Sequence, residues 1–198
     1  MSTEAPLRRH LALGTLSFGI CFAAWGLISA FAVRFRQRFD LTSTETALLV
    51  AVPVLLGSLA RLPMGILADR FGGRKVFSML MLAVSVPVFL VPQADTFSSL
   101  LVTAFFLGLA GSSFSVGVGY VSSRSPPAKQ GGVLGVYGMG NIGQSAAVFL
   151  GPLVAAAIGW ERVFTGLAGA LFIWGGVFLL LARNAPAKAA PKGIGEMF

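Results

Sequence analysis

The chain has 198 residues, 56% of them apolar and 11% charged, with a mean hydropathy of +0.83. A soluble domain is roughly 45–50% apolar and about 25% charged, so a soluble globular protein is excluded. One cysteine, Cys21, allows no internal disulfide, and one histidine, His10, allows no His-centred catalytic set, so neither an enzyme nor any cofactor is expected. The net charge of +8 sits in short gaps between apolar runs rather than on one face of a polar domain. The expected partner is therefore a lipid bilayer and not a nucleic acid.

In chain order, apolar runs lie at about 11–33, 46–67, 76–92, 97–121, 132–158 and 163–182. Each can cross a hydrocarbon core of about 30 Å at 1.5 Å per residue. Backbone groups in lipid must be satisfied within their own segment, so the spans are helices. The fold class is all-α: a polytopic membrane protein with six transmembrane helices. Arg8 and Arg9 followed by an apolar run ending in Ala30-Phe31-Ala32 have the outline of a signal peptide. The run exceeds the about 7–15 residues of a signal core, and it reads as the first span.

Lys and Arg set the orientation. With the N-terminus inside, Arg8, Arg9, Arg70, Arg74, Lys75, Arg124, Lys129, Arg183, Lys188 and Lys192 are cytoplasmic, against Arg34, Arg36, Arg38 and Arg162 outside. This bias predicts both termini in the cytoplasm of a multi-pass inner-membrane protein. The first outer loop, with three arginines, dissents. Residues 1–183 are expected to form the six-helix unit, and 184–198, rich in Ala, Pro and Lys, a cytoplasmic linker.

The loop between the second and third spans reads Gly65-Ile66-Leu67-Ala68-Asp69-Arg70-Phe71-Gly72-Gly73-Arg74-Lys75. Gly65 permits close helix approach, Asp69 places a carboxylate just beyond a membrane helix, and Gly72-Gly73 makes a tight turn. Arg74 and Lys75 anchor the next helix at an anionic surface. An ordinary positive-inside loop accounts for the basic residues but not for this combination. The stretch resembles the signature loop of the major facilitator superfamily. That resemblance implies that Asp69, with Arg70, Arg74 and Lys75 as charged neighbours, engages the end of a helix in an opposite half and helps hold the outward-open state.

Arg61 lies inside the second span, eight residues before Asp69 and hence about 12 Å deep. An intramembrane arginine costs at least about 2.5–3.5 kcal/mol. Gly57 and Gly65, at i−4 and i+4, give its face to a neighbouring helix rather than to lipid. Snorkelling to the surface is the bland alternative; the functional one is a planar fork for an oxyanion. In the fifth span Asn141 has Tyr137, Gln144 and Ser145 at i−4, i+3 and i+4, which predicts one polar stripe on an apolar helix. Glycines 135, 138, 140 and 143 surround it. Phe114 stands in the fourth span among Gly111, Ser112, Ser113, Ser115 and Gly117. Arg61, Phe114 and Asn141 all fall about 12–15 Å from the inner surface, the level at which transporters bind substrate.

Arg61 in its Arg-Leu-Pro-Met-Gly context, together with Gly135-Val136-Tyr137-Gly138-Met139-Gly140-Asn141-Ile142-Gly143, resembles the nitrate/nitrite porter (NarK-type) family and its fifth-helix signature. The resemblance implies a small anion, nitrate or nitrite, bound by Arg61, Asn141 and a Phe114 wall, with Tyr137 and Gln144 beside them and the signature glycines Gly135, Gly138, Gly140 and Gly143. It also implies a second six-helix half as partner, supplying a further arginine. That half is expected in a longer reading frame or, alternatively, as a separate chain; the six spans alone are not expected to transport. All seven acids lie in loops, tails or at span ends, which favours anion exchange over proton coupling. Carriers of other organic anions or drugs and an assembly-only membrane subunit are the rival readings.

Overall fold

The structure, a computed structural model, describes residues 4–184, with side chains from residue 7 onward. Six helical spans run back and forth: Leu7–Ala30, Ser43–Phe71, Gly73–Gln93, Phe97–Ser122, Pro127–Ile158 and Trp160–Leu181. No strand occurs among the described residues. The linker expected at 184–198 lies outside the described residues except for Asn184. Span ends differ by a few residues from the apolar runs because caps and turns, not hydropathy, terminate helices. Thr42 and Glu45 form a reciprocal capping box that starts the second span, and Thr96 with Ser99 starts the fourth in the same way.

Three spans are broken near mid-length. The second divides into α3 (Ser43–Leu59) and α4 (Arg61–Phe71). Pro63 lacks an N–H to donate to the Leu59 carbonyl, and its ring crowds that group. The fourth divides into α6 (Phe97–Leu107) and α7 (Ser113–Ser122) around a 3-10 segment at Gly108–Ser112. The fifth divides into α8 (Gln130–Gly138) and α9 (Ile142–Ile158) around a 3-10 turn at Met139–Asn141. The remaining helices are α1 (Glu4–Ala30), which continues past Phe31 as α2 (Ala32–Arg38), then α5 (Gly73–Leu90) and α10 (Trp160–Leu181).

Backbone contact between glycine-bearing helices assembles the bundle. A Cβ on Gly143 or Gly140 would run into Gly19 or Phe18, so the fifth span lies directly on α1. A Cβ on Gly57 would stand 2.8 Å from the Gly108 carbonyl oxygen, and Gly108 itself abuts the Pro53 carbonyl, so the second span lies on the fourth. Such approach needs small residues because lipid supplies no hydrophobic drive between helices. α10 is held by polar bonds as well: Ser78 donates to the Gly175 carbonyl at 2.5 Å, and Trp174 donates to Ser17 at 2.9 Å. The second and fifth spans keep wide exposed faces, whereas the first, third and fourth are about half buried.

The basic residues near the chain termini have a structural task. The last carbonyls of a helix lack intrahelical donors and carry the negative end of its dipole. Arg9 donates to the Leu181 carbonyl at 3.2 Å and Arg74 to the Leu179 carbonyl at 2.7 Å. His10 Nε2 donates to the Arg183 carbonyl at 2.6 Å, and Arg124 donates to that of Asn184. The Asn184 side chain in turn accepts from the Arg74 backbone N–H at 3.0 Å. Arg9 and Arg74 thus cap the last carbonyls of α10, and His10 and Arg124 hold the two residues Arg183 and Asn184 beyond it.

Candidate functional site

Arg61 is the first residue of α4, immediately after the break. It is exposed, and no hydrogen-bond or ion-pair partner meets it among the described residues. Its flanking glycines both face the fourth span: Gly57 lies on Gly108 and Gly111, and a Cβ on Gly65 would stand 3.8 Å from the Ser115 Cβ. The level of Arg61 is thereby bracketed against the turn of α7 that carries Phe114. That ring is 38% exposed and lies 5.6 Å from the ring of Phe18. Phe18 also fills the space in front of Gly140, the neighbour of Asn141. These contacts join the helix turns that carry Arg61, Phe114 and Asn141 through Gly57, Gly65, Phe18 and Gly140.

The fifth-span stripe is not continuous. Tyr137, expected beside Asn141, is fully buried instead: its hydroxyl donates to the Ser113 carbonyl at 2.9 Å and its ring stacks on Phe18 at 4.8 Å. The correction has a geometric cause. A 3-10 segment advances three residues per turn instead of 3.6, so the turn at Met139–Asn141 shifts the phase of the helix by roughly 60°. Tyr137 is swung into the packing behind Phe114, and Asn141 and Ser145 stay exposed. Gln144 is half buried, its stem against Gly26 of α1. The amides of Asn141 and Gln144 have no partner among the described residues.

The signature glycines fall into two groups. Gly140 and Gly143 are closely packed on α1, whereas Gly135 and Gly138 have nothing within 4 Å of an added Cβ. The loop residues also separate. Gly72, with φ of +87°, makes the turn, while Gly73 gives way to Tyr120, whose Cβ would stand 2.8 Å from its own. Asp69 is exposed next to Gly119 and Arg70 rests over Phe71 at 5.4 Å. Arg74, expected beside Asp69, is turned instead onto the carbonyl end of α10. There it meets the negative end of the α10 dipole, a favourable place for a cation. Lys75 is exposed on α5.

Trp25 is the residue that sequence reasoning missed. Its indole nitrogen lies 3.7 Å from a Cβ position on Gly57, one turn from Arg61, and its ring reaches Gly111. Its signal was faint: an aromatic in an apolar helix reads as packing. Together these groups can offer a cationic planar fork, two amides and aromatic walls to a small anion.

The chain is similar to curated transport proteins. The probable nitrate/nitrite antiporter NarK1 of Thermus thermophilus is 42% identical over 168 residues, which is 84% of this chain and 38% of that protein. The nitrite extrusion protein of Bacillus subtilis is 40% identical over 78% of this chain and 40% of that protein. The probable nitrate transporter NarT of Staphylococcus carnosus is 38% identical over 77% and 39%. The chain thus spans about two fifths of the length of these relatives. Among solved structures, a bacterial homologue of the human lysosomal transporter Spinster, inward-facing and unoccupied, shares the fold with a TM-score of 0.83 at 19% identity, over 97% of this chain and 46% of that one. Residues 13–196 match the family model described as Major Facilitator Superfamily. With six spans, the Gly65–Lys75 loop at the junction of the second and third, and this match across nearly the whole chain, the protein belongs to the Major Facilitator Superfamily.

Proposed function

We propose that this chain is the N-terminal half of a nitrate/nitrite carrier and supplies half of its anion site. The observation that carries the reading is Arg61: a guanidinium within a membrane span, at the depth of two unspent amides, with no counter-charge among the described residues. A charge so placed needs an anion or an opposing half to be tolerable. Its planar fork suits a planar oxyanion, with Phe114 as an apolar wall and Asn141 and Gln144 as hydrogen-bond donors. Tyr137 acts through Phe18 and Phe114, fixing the wall rather than touching substrate. The exposed faces of the second and fifth spans are where a second six-helix half would close the site, by alternating access around the midplane.

In this reading Asp69 and Arg70 meet the second half at its inner edge, and both termini lie on the cytoplasmic side of the inner membrane, an orientation that the ten-to-four Lys/Arg bias supports. The absence of an acid from the span interiors favours exchange of nitrate for nitrite. The test is a carrier in which this chain is joined to the second half of the Thermus thermophilus relative and checked for a single elution peak. Nitrite-loaded vesicles holding it should take up labelled nitrate saturably. An assembled carrier that moves nitrate no faster than empty vesicles, or moves bulky organic anions equally well, refutes the reading. A pH gradient that drives the flux would replace exchange with proton coupling.

A further inference from the structure

The three arginines that dissent from the charge bias, Arg34, Arg36 and Arg38, all lie on α2 at the end of the bundle opposite the termini. Two of them converge. Arg34 and Arg38 are i and i+4, so their stems leave the helix about 5–6 Å apart. Their guanidinium carbons stand 5.6 and 5.2 Å from the centre of the same ring, that of Trp160. Trp160 is buried at the start of α10, fixed edge-on by Phe35 at 5.6 Å and by Phe164 at 5.9 Å. Arg38 also donates to the Ala94 carbonyl at 3.2 Å, which ties the three loops of this end together.

Two like charges on one helix face repel each other, and no carboxylate pairs with either of these among the described residues. Of the acids at this end, Glu45 is occupied by the Thr42 cap, and Asp40, Asp95 and Glu161 are exposed and make no ion pair with either arginine. A guanidinium resting on an indole keeps its in-plane N–H groups available; Arg38 spends one on the Ala94 carbonyl and retains the rest, and an anion held by both arginines would cancel the repulsion. Both arginines are exposed at the end of the first span and Trp160 opens the sixth, so the forks lie where the chain leaves its apolar segments.

We propose that Arg34 and Arg38, set side by side on Trp160, form an oxyanion site at this membrane surface that takes a phosphate group. Lipid headgroups and free phosphate share that chemistry. The site is separate from the mid-membrane arginine and does not depend on the anion carried there.

The test uses the whole chain in phosphate-free maltoside micelles and follows tryptophan emission, to which Trp160 contributes as one of three tryptophans. One series adds phosphatidylglycerol to the micelles and another adds inorganic phosphate to the buffer. Emission should shift in a saturable way, with half-saturation about tenfold weaker in R34Q/R38Q. The control R36Q/R162Q removes two charges from the same end and should titrate like the unaltered chain. R34K/R38K keeps the charge and loses the fork, and should fall between the two. A shift with phosphatidylglycerol alone assigns the headgroup; a shift with inorganic phosphate as well assigns a soluble ion. No shift in either series, or an equal loss in both double variants at unchanged helicity, overturns the site.

Discussion

Gly57 and Gly108 meet so closely that a Cβ on the first would stand 2.8 Å from the carbonyl oxygen of the second. This crossing sets the second span against the fourth one turn from Arg61, and it leaves no room for a side chain. Gly57→Leu should lower the thermal midpoint of the purified chain, in keeping with the about 1–3 kcal/mol of an overpacked contact. An unchanged midpoint in a melting curve would show that the two helices do not touch there.

The signature glycines should divide in the same way. Gly140→Ala and Gly143→Ala place a methyl group against Phe18 and Gly19 and should destabilise the chain or stop its insertion. Gly135→Ala and Gly138→Ala meet nothing within 4 Å, so the better helix propensity of alanine should leave stability equal or higher. Their effect should appear only as lost flux in an assembled two-half carrier. Comparing melting curves with uptake for the four variants checks both statements.

Tyr137→Phe removes the donor to the Ser113 carbonyl inside the packing. The expected cost is about 1 kcal/mol of stability, with anion affinity in the assembled carrier changed less than twofold, about 0.4 kcal/mol. Should nitrate affinity fall as far as it does on Asn141→Ala, the tyrosine contacts substrate after all.

Arg61→Lys keeps the charge and loses the planar fork. The assembled carrier should lose nearly all nitrate flux with lysine as well as with glutamine. Retention of half the flux by the lysine variant would reduce the role of Arg61 to a point charge and favour a general anion carrier.

Vesicles holding only this chain should show no saturable nitrate or nitrite flux, because the rocking that alternates access needs two halves around one site. Robust saturable uptake by the chain alone would remove the two-half scheme.

The six spans were legible because hydrophobic length is a one-dimensional property: a run of about 20 apolar residues crosses the core whatever surrounds it. The loop from Gly65 to Lys75 was legible for a similar reason, since its glycines, acid and bases follow one another in sequence. Phase along the fifth span was not. A uniform 3.6-residue period put Tyr137 beside Asn141, and three residues of tighter winding moved the tyrosine inside.

Residues 4–184 therefore separate two kinds of information. Composition and order by themselves determined that the chain crosses a membrane six times and that a charge is carried within the second span. Only the tertiary structure decided which side chains remain available to a ligand. Arg74 was consumed by an orphan carbonyl of α10, His10 by the Arg183 carbonyl just beyond it, Tyr137 by the Ser113 carbonyl, and Arg34 and Arg38 were gathered onto Trp160. The physical reason is that polar partners far apart in sequence satisfy one another wherever folding brings them close. Arg61 and Asn141 are left over because no partner among the described residues answers them.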